Sequence, residues 1–244
     1  MSYYIRRNGR PEHRAALRLA VNAGLRSSSR KTSAASLHLL EHMAFNGSKH
    51  FAPGELVGFL ESIGARFGAD ANAYTSFDET VYMLEVPTDR SGLVEKGLTV
   101  LADFAGGWTL SKNEIDKERG VVLEEWRLGQ GANSRLQRLQ FPILMHGSRY
   151  AERLPIGDPD VIKSSDPARL RAFAPRMVPA RARWRSPSSA TWIPARPRVD
   201  PGQAGRGPRR RRRRARPDYG IPSHAETLVS ASPPIPRRAC PASP

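Results

Sequence analysis

His38-Leu-Leu-Glu-His-Met-Ala-Phe-Asn-Gly47 is the run from which the rest of the chain can be read. Leu37, Leu40 and Met43 recur at helical spacing, which predicts a helix over residues 37–45. Asn46-Gly47-Ser48 should end it, because Asn and Gly suit a helix C-terminus. Successive residues turn by about 100°, so positions i and i+4 share a face, and the imidazoles of His38 and His42 can reach one cation. Glu41 lies on the same side. A carboxylate in that place can act as general base toward water acidified by a metal. The order is H-x-x-E-H, the inverse of the commoner H-E-x-x-H.

Two imidazoles and a water leave tetrahedral zinc one ligand short, and an acidic side chain elsewhere should supply it. Glu118 and Glu125 share one face of a helix predicted over residues 111–128. Glu124 stands one position off that face. From spacing alone, either of the pair can bind the ion while the other orients a histidine. Ser111 with Glu114 three residues on forms a capping-box pattern at the start of this helix.

Outward from these runs, residues 3–7 and 14–22 read as strands, with the turn signal Asn8-Gly9-Arg10-Pro11 between them predicting a hairpin. Residues 25–36, rich in Ser, Arg and Ala, read as a loop. A second helix is expected from about Pro53-Gly54-Glu55 to Ile63. Strands are expected at 71–75 and 80–87, and an amphipathic helix at 91–106. Helices alternating with loops should follow, to about Phe173.

From about Pro175 the composition shifts. Residues 175–244 hold 14 of the 21 prolines and 16 Arg against three acids, including the run Arg209–Arg214. Residues 1–174 hold 23 Lys and Arg against 20 acids, so the tail carries most of the net charge of +16. Such a tail cannot bury enough surface to offset its ordering entropy, and disorder is expected over 175–244. The arginine run gives salt-sensitive, sequence-blind affinity for phosphate. Without aromatic interleaving or a folded basic motif, nucleic-acid binding is expected to be nonspecific and not the function. The lone Cys240 excludes an internal disulfide and a cysteine-based metal site. No apolar run reaches the roughly 18 residues that span a bilayer, and the Met1–Arg7 start does not read as a signal peptide. His13, His50, His146 and His224 have no partner at ligand spacing and read as surface residues, and Trp108 and Trp126 as packing.

The wider run His38-Leu-Leu-Glu-His-Met-Ala-Phe-Asn-Gly-Ser-Lys-His-Phe51 strongly resembles the pitrilysin/insulinase family of zinc peptidases. So does Glu118-Arg-Gly-Val-Val-Leu-Glu-Glu-Trp126, which looks like the family's third-ligand helix. Asn72-Ala-Tyr-Thr75 and Asp78-Glu-Thr-Val-Tyr82 look like its strand beside the active site. The likeness extends from about Tyr3 to Ala172 with one interruption. It implies an α+β fold, with a mixed, largely antiparallel sheet backed by helices over residues 1–174. It also implies one zinc ion per chain on His38, His42 and Glu125, with Glu41 as the base and Glu118 as a supporting acid. Substrate peptides in this family add as a strand to an exposed sheet edge, which implies a place near Asn72, Ala73 and Tyr74. The implied activity is metalloendopeptidase, with a peptide or protein as substrate and a second peptidase-like half or subunit as partner. The reading from a different class is a non-catalytic member that serves as a structural or substrate-presenting subunit. The complete motif set argues against that reading.

Two stretches depart from the family pattern. Leu25–Ser36 is basic and Ser-rich where the family has an acidic loop and Gly-Leu-Ala. After Phe173 the family runs into Trp-Tyr-Arg-Pro and an apolar strand. Codons for Met177-Val178-Pro-Ala-Arg, read one base later, can spell Trp-Tyr-Arg-Pro-Glu, the Trp being forced by ATG-G. An Arg/Pro/Ala/Ser-rich tail without lysine is what a GC-rich gene gives out of frame. The frame is therefore expected to be broken within 25–37 and lost after about 174.

Overall fold

The computed structural model describes residues 2–7, 9–24, 32–153, 156–177 and 184–190. Its strands are β1 (Ser2–Arg7), β2 (Arg14–Val21), β3 (Ala71–Thr75), β4 (Thr80–Pro87) and β5 (Trp184–Ala190). Its helices are α1 (Thr32–Met43), α2 (Glu55–Ser62), α3 (Leu93–Phe104), α4 (Lys112–Leu128), α5 (Ala132–Leu144), α6 (Pro159–Ser164) and α7 (Pro167–Met177). A 3-10 turn at Arg149–Glu152 joins α5 to α6.

The strands form one sheet in the order β1-β5-β2-β4-β3. Only β1 and β5 run parallel; the other neighbours are antiparallel. The fold is thus the mixed, largely antiparallel sheet with helices that the resemblance implies. β3 and β4 make a tight hairpin in which Thr75 faces Thr80 and Ser76 N–H bonds the Glu79 carbonyl at 2.7 Å. β2 pairs along β4 from Arg14 opposite Pro87 to Val21 opposite Thr80. Its Ala15, Leu17, Leu19 and Val21 are buried in alternation, as a strand with one face on a core requires. β3 lies at one edge, with β4 on one side only.

α3 packs on β2 and β4, and Gly97 makes the approach possible: a Cβ there would meet Leu17 Cδ1 at 2.8 Å. α1 packs against β3 on one side and α4 and α6 on the other. That explains why Leu37, Leu39, Leu40 and Met43 are all below 2% exposed: the helix is wrapped on several sides. Ile115 and Val122 of α4, Ile162 of α6 and Leu170 of α7 close the core behind it. α4 starts at Ser111, whose side chain accepts from Glu114 N–H at 3.3 Å.

Three expectations change. The chain does reverse between β1 and β2, yet they are not a hairpin, because β5 lies between them and bonds to both. The helix begins at Thr32 rather than 37, inside the stretch read as loop. Ser and Thr are weak helix formers, but Ala35, 1% exposed, packs against Gly157, and that contact overrides propensity. The expected tail from 175 is entered twice, by α7 running to Met177 and by β5 filling the gap between β1 and β2. Residues 191–244, with Arg209–Arg214, His224 and Cys240, lie outside the described residues, as do 25–31. Among the described residues no helix is long and apolar enough to cross a membrane.

Candidate metal centre

The site is built where α1 passes antiparallel to α4. His38 and His42 project from one face of α1, and Glu118 and Glu125 from the facing side of α4. His38 Nε2 lies 3.2 Å from Glu125 Oε2, His42 Nε2 lies 3.3 Å from the same oxygen, and the two nitrogens are 3.1 Å apart. A tetrahedral zinc with bonds near 2.0–2.1 Å spaces its ligands about 3.3 Å apart, so the triangle has the size that such an ion needs. The chemistry agrees. Two ring nitrogens and a carboxylate oxygen converge on one point, and a cation there satisfies all three lone pairs. Among the described residues, His38, His42 and Glu125 are the group of three that can share a metal.

Glu118 does not join the triangle. Its Oε1 lies 2.8 Å from His42 Nδ1, so Nδ1–H donates to the carboxylate and Nε2 is the nitrogen turned toward the triangle. Glu124 is turned away, exposed and paired with Arg127 Nε at 2.8 Å. Spacing along α4 left Glu118 and Glu125 equivalent, and the structure separates them by partner.

The electrostatics fit a cation. Burial pulls the His42 imidazole down, but the carboxylates of Glu118 and Glu125 outweigh it and raise its pKa to about 9. His38 and His42 hold the Glu125 carboxyl well below the usual carboxylate range. In the metal-free chain the two carboxylates therefore favour a protonated His42, and a metal would take the place of the proton on Nε2.

Glu41 faces the sheet side of α1 and is 7% exposed. Burial pushes its carboxyl up, offset in part by a hydrogen bond from Thr75 and by His38 and His42. Its Oε2 has no protein partner. A buried carboxylate with a raised affinity for a proton, beside two histidines, suits a proton acceptor. Tyr82 Oη is buried without a partner nearby, and burial, then Glu41, raises its pKa.

Asn72, Ala73 and Tyr74 lie on edge strand β3, whose end is packed on α1. Asn72 Oδ1 accepts from Ala73 N–H at 2.8 Å, and Tyr74 Oη donates to Glu79 at 3.1 Å. Two further residues were missed by sequence reasoning. Thr75 is one, although the period of β3 puts it on the inward face with Ala71. Asn46, read only as a helix end, donates from Nδ2 to Glu118 Oε2. Its signal was in plain view, as the third member of a 38/42/46 stripe at four-residue spacing. His50 also has a partner after all. Its Nδ1 is 2.8 Å from Asp103 Oδ1, and Ser48 Oγ donates to Asp103 Oδ2 at 2.5 Å, tying the loop after α1 to α3.

The family model Insulinase (Peptidase family M16) matches residues 4–144. A zinc protease PQQL-like protein of Arabidopsis thaliana is 43% identical over 173 residues, covering 70% of this chain and 18% of that protein. The crystal structure of the first half of the periplasmic protease PqqL from Escherichia coli superposes with a TM-score of 0.74 at 32% identity, covering 78% of this chain and 40% of that one. A mutant of the ferredoxin protease FusC in complex with Arabidopsis ferredoxin superposes with a TM-score of 0.71 at 27% identity, covering 79% and 21%. The chain spans less than a fifth of the length of the PqqL-type zinc proteases it matches.

Proposed function

The chain belongs to the insulinase family of peptidases, and from that premise we propose that it is the metal-bearing part of a zinc metalloendopeptidase. The observation that carries this reading is the triangle of His38 Nε2, His42 Nε2 and Glu125 Oε2, with sides of 3.1, 3.2 and 3.3 Å, beside a buried carboxylate. In this reading the three residues hold one zinc ion per chain. Zinc, when bound, supplies Lewis acidity, which acidifies water and polarises a carbonyl oxygen.

The remaining chemistry belongs to the chain. Glu41 takes a proton from the attacking water as its oxygen bonds to the scissile carbonyl carbon. Glu41 then delivers that proton to the amide nitrogen as the carbon–nitrogen bond breaks, releasing an acid and an amine. Glu118 holds the His42 ring in the tautomer with Nε2 unprotonated. A substrate strand adds to the open edge of β3, and takes over the Ala73 N–H that Asn72 caps in its absence. Peptide cleavage is expected of an assembly that includes a second peptidase-like half, and zinc binding of this chain by itself.

Metal analysis and a cleavage assay together test the reading. The chain should hold one zinc ion, and Glu125→Gln should lose it. Glu41→Gln should keep the ion and lose roughly two or more orders of magnitude in peptide hydrolysis. Cleavage by Glu41→Gln at the parent rate would remove Glu41 from the role of base. Stoichiometric zinc in Glu125→Gln would break the ligand assignment. A wild-type assembly that binds zinc and cleaves nothing would favour the substrate-presenting alternative.

A further inference from the structure

α1 and α4 meet as an antiparallel pair, so residue numbers rise along one as they fall along the other. His38 meets Glu125, His42 meets both Glu125 and Glu118, and Asn46 meets Glu118. Asn46 keeps this register although α1 proper stops at Met43. The chain beyond it stays coiled through three successive i to i+3 bonds, Ala44 N–H to Glu41 O, Phe45 N–H to His42 O and Asn46 N–H to Met43 O. Asn46 thus sits one turn past His42, over the same face.

The Glu118 carboxylate, only 14% exposed, is engaged at both oxygens: Oε1 by His42 Nδ1–H and Oε2 by the Asn46 amide. An ionised carboxylate only accepts, so the amide atom in contact is the NH2. A carboxylate held at one oxygen can turn about its terminal torsion, which is broad and soft. Held at both, its plane is fixed, and with it the direction of the bond to His42. No other hydrogen bond to Glu118 is formed by the described side chains.

We propose that Asn46 is a positioning residue of the metal centre: its amide clamps Glu118, and Glu118 aims the His42 ring. This rests on the reading of His38, His42 and Glu125 as metal ligands. The competing account is that Asn46 merely fills space at the end of α1.

Two substitutions separate these accounts. Asn46→Leu keeps size and neutrality but has no donor. Asn46→His keeps a donor, Nδ1–H, at the same reach. Zinc dissociation constants are measured by chelator competition, together with unfolding of the zinc-free proteins. The proton resonance of His42 Nδ1–H is followed for its exchange with water. Asn46→Leu should weaken zinc binding roughly tenfold and speed that exchange, as loss of an outer partner of a metal ligand does. Asn46→His should stay within about threefold of the parent by the same measure. Parent-like zinc affinity and exchange in Asn46→Leu would overturn the proposal. So would Asn46→His binding as weakly as Asn46→Leu, because the donor would then not matter. If Asn46→Leu unfolds, a parent-like affinity in Asn46→His still supports the clamp and a Leu-like one still sinks it. A parent chain that takes up no zinc fails at the ligand set instead, and the measurement on the parent shows which has failed.

Discussion

Thr75 and Thr80 face each other across the β3–β4 hairpin with hydroxyls 3.4 Å apart. Thr80 spends its one hydroxyl proton on the Ala23 carbonyl at 3.0 Å, which leaves the Thr75 proton for the Glu41 carboxylate. Thr75→Val should therefore leave zinc content unchanged and slow peptide cleavage about tenfold, the worth of one hydrogen bond to a charged group. Thr75→Ser should restore the rate, and equal rates for all three would dismiss Thr75. His42 gives a pH dependence. In the metal-free chain its pKa is raised from 6.5 to about 9, so its contribution to stability is fully present below pH 6.5 and is lost as pH rises through about 9. Zinc has the opposite dependence, because the ion must displace that proton. Its apparent affinity should fall roughly tenfold per pH unit below about 9, measured by chelator competition at several pH values. His38, Glu41 and His42 were legible because a helix repeats every few residues. Thr75 was not, since its role exists only through Glu41, far away in sequence; Asn46 showed its place in the 38/42/46 stripe but not its partner Glu118, 72 positions on.

Elements were legible where a single periodicity ran their length. β3, β4 and α4 stand where alternation, the turn at Ser76–Asp78 and the Ser111 cap put them. The start of α1 was not, because its reason is a contact from across the molecule. Gly157, at φ +80°, comes so near α1 that an added Cβ would meet Ala35 Cα at 2.6 Å. Gly157→Ala should both strain that backbone and push on the first turn of α1, at a cost of about 1–3 kcal/mol in denaturant unfolding. An unchanged midpoint would show that the loop can yield. The β1–β2 hairpin failed for a different cause. A turn signal specifies that the chain reverses; it does not specify that the two arms are neighbours, and the gap between them admits β5.

At the scale of the molecule, the sheet is closed by an unusual strand. β5 is flanked on both sides, yet its sequence Trp-Arg-Ser-Pro-Ser-Ser-Ala has few good strand formers, and Pro187 has no N–H to give the ladder. A central position ordinarily selects apolar β-branched residues. This mismatch falls just after Met177–Arg181, whose codons can spell the family's Trp-Tyr-Arg-Pro-Glu one base later, and the loss of frame expected after about 174 would account for it. Sequencing the gene should find frame-changing insertions or deletions within codons 25–37 and after about 174; an intact frame at both would end that account. None of the residues of α5 is buried, and Leu136, Leu139 and Ile143 line an exposed stripe. The fold class was legible from the motifs alone, whereas the strand order was not, because order depends on which edges remain free.

The antiparallel meeting of α1 and α4 has a topological consequence. His38 and Glu125 are 87 positions apart, so an ion bound to both ties a large loop of chain. An unfolded chain that offered the same two ligands would first have to close that loop, at an entropic cost of about 4–5 kcal/mol by the chain-entropy estimate used for cross-links. Zinc would therefore discriminate strongly between the folded and unfolded chain, and act as a removable staple between α1 and α4. A chelator should lower the melting temperature, and the drop should grow with the logarithm of the free zinc that had been present. The same ion that equips the site for chemistry would then decide how long the site survives.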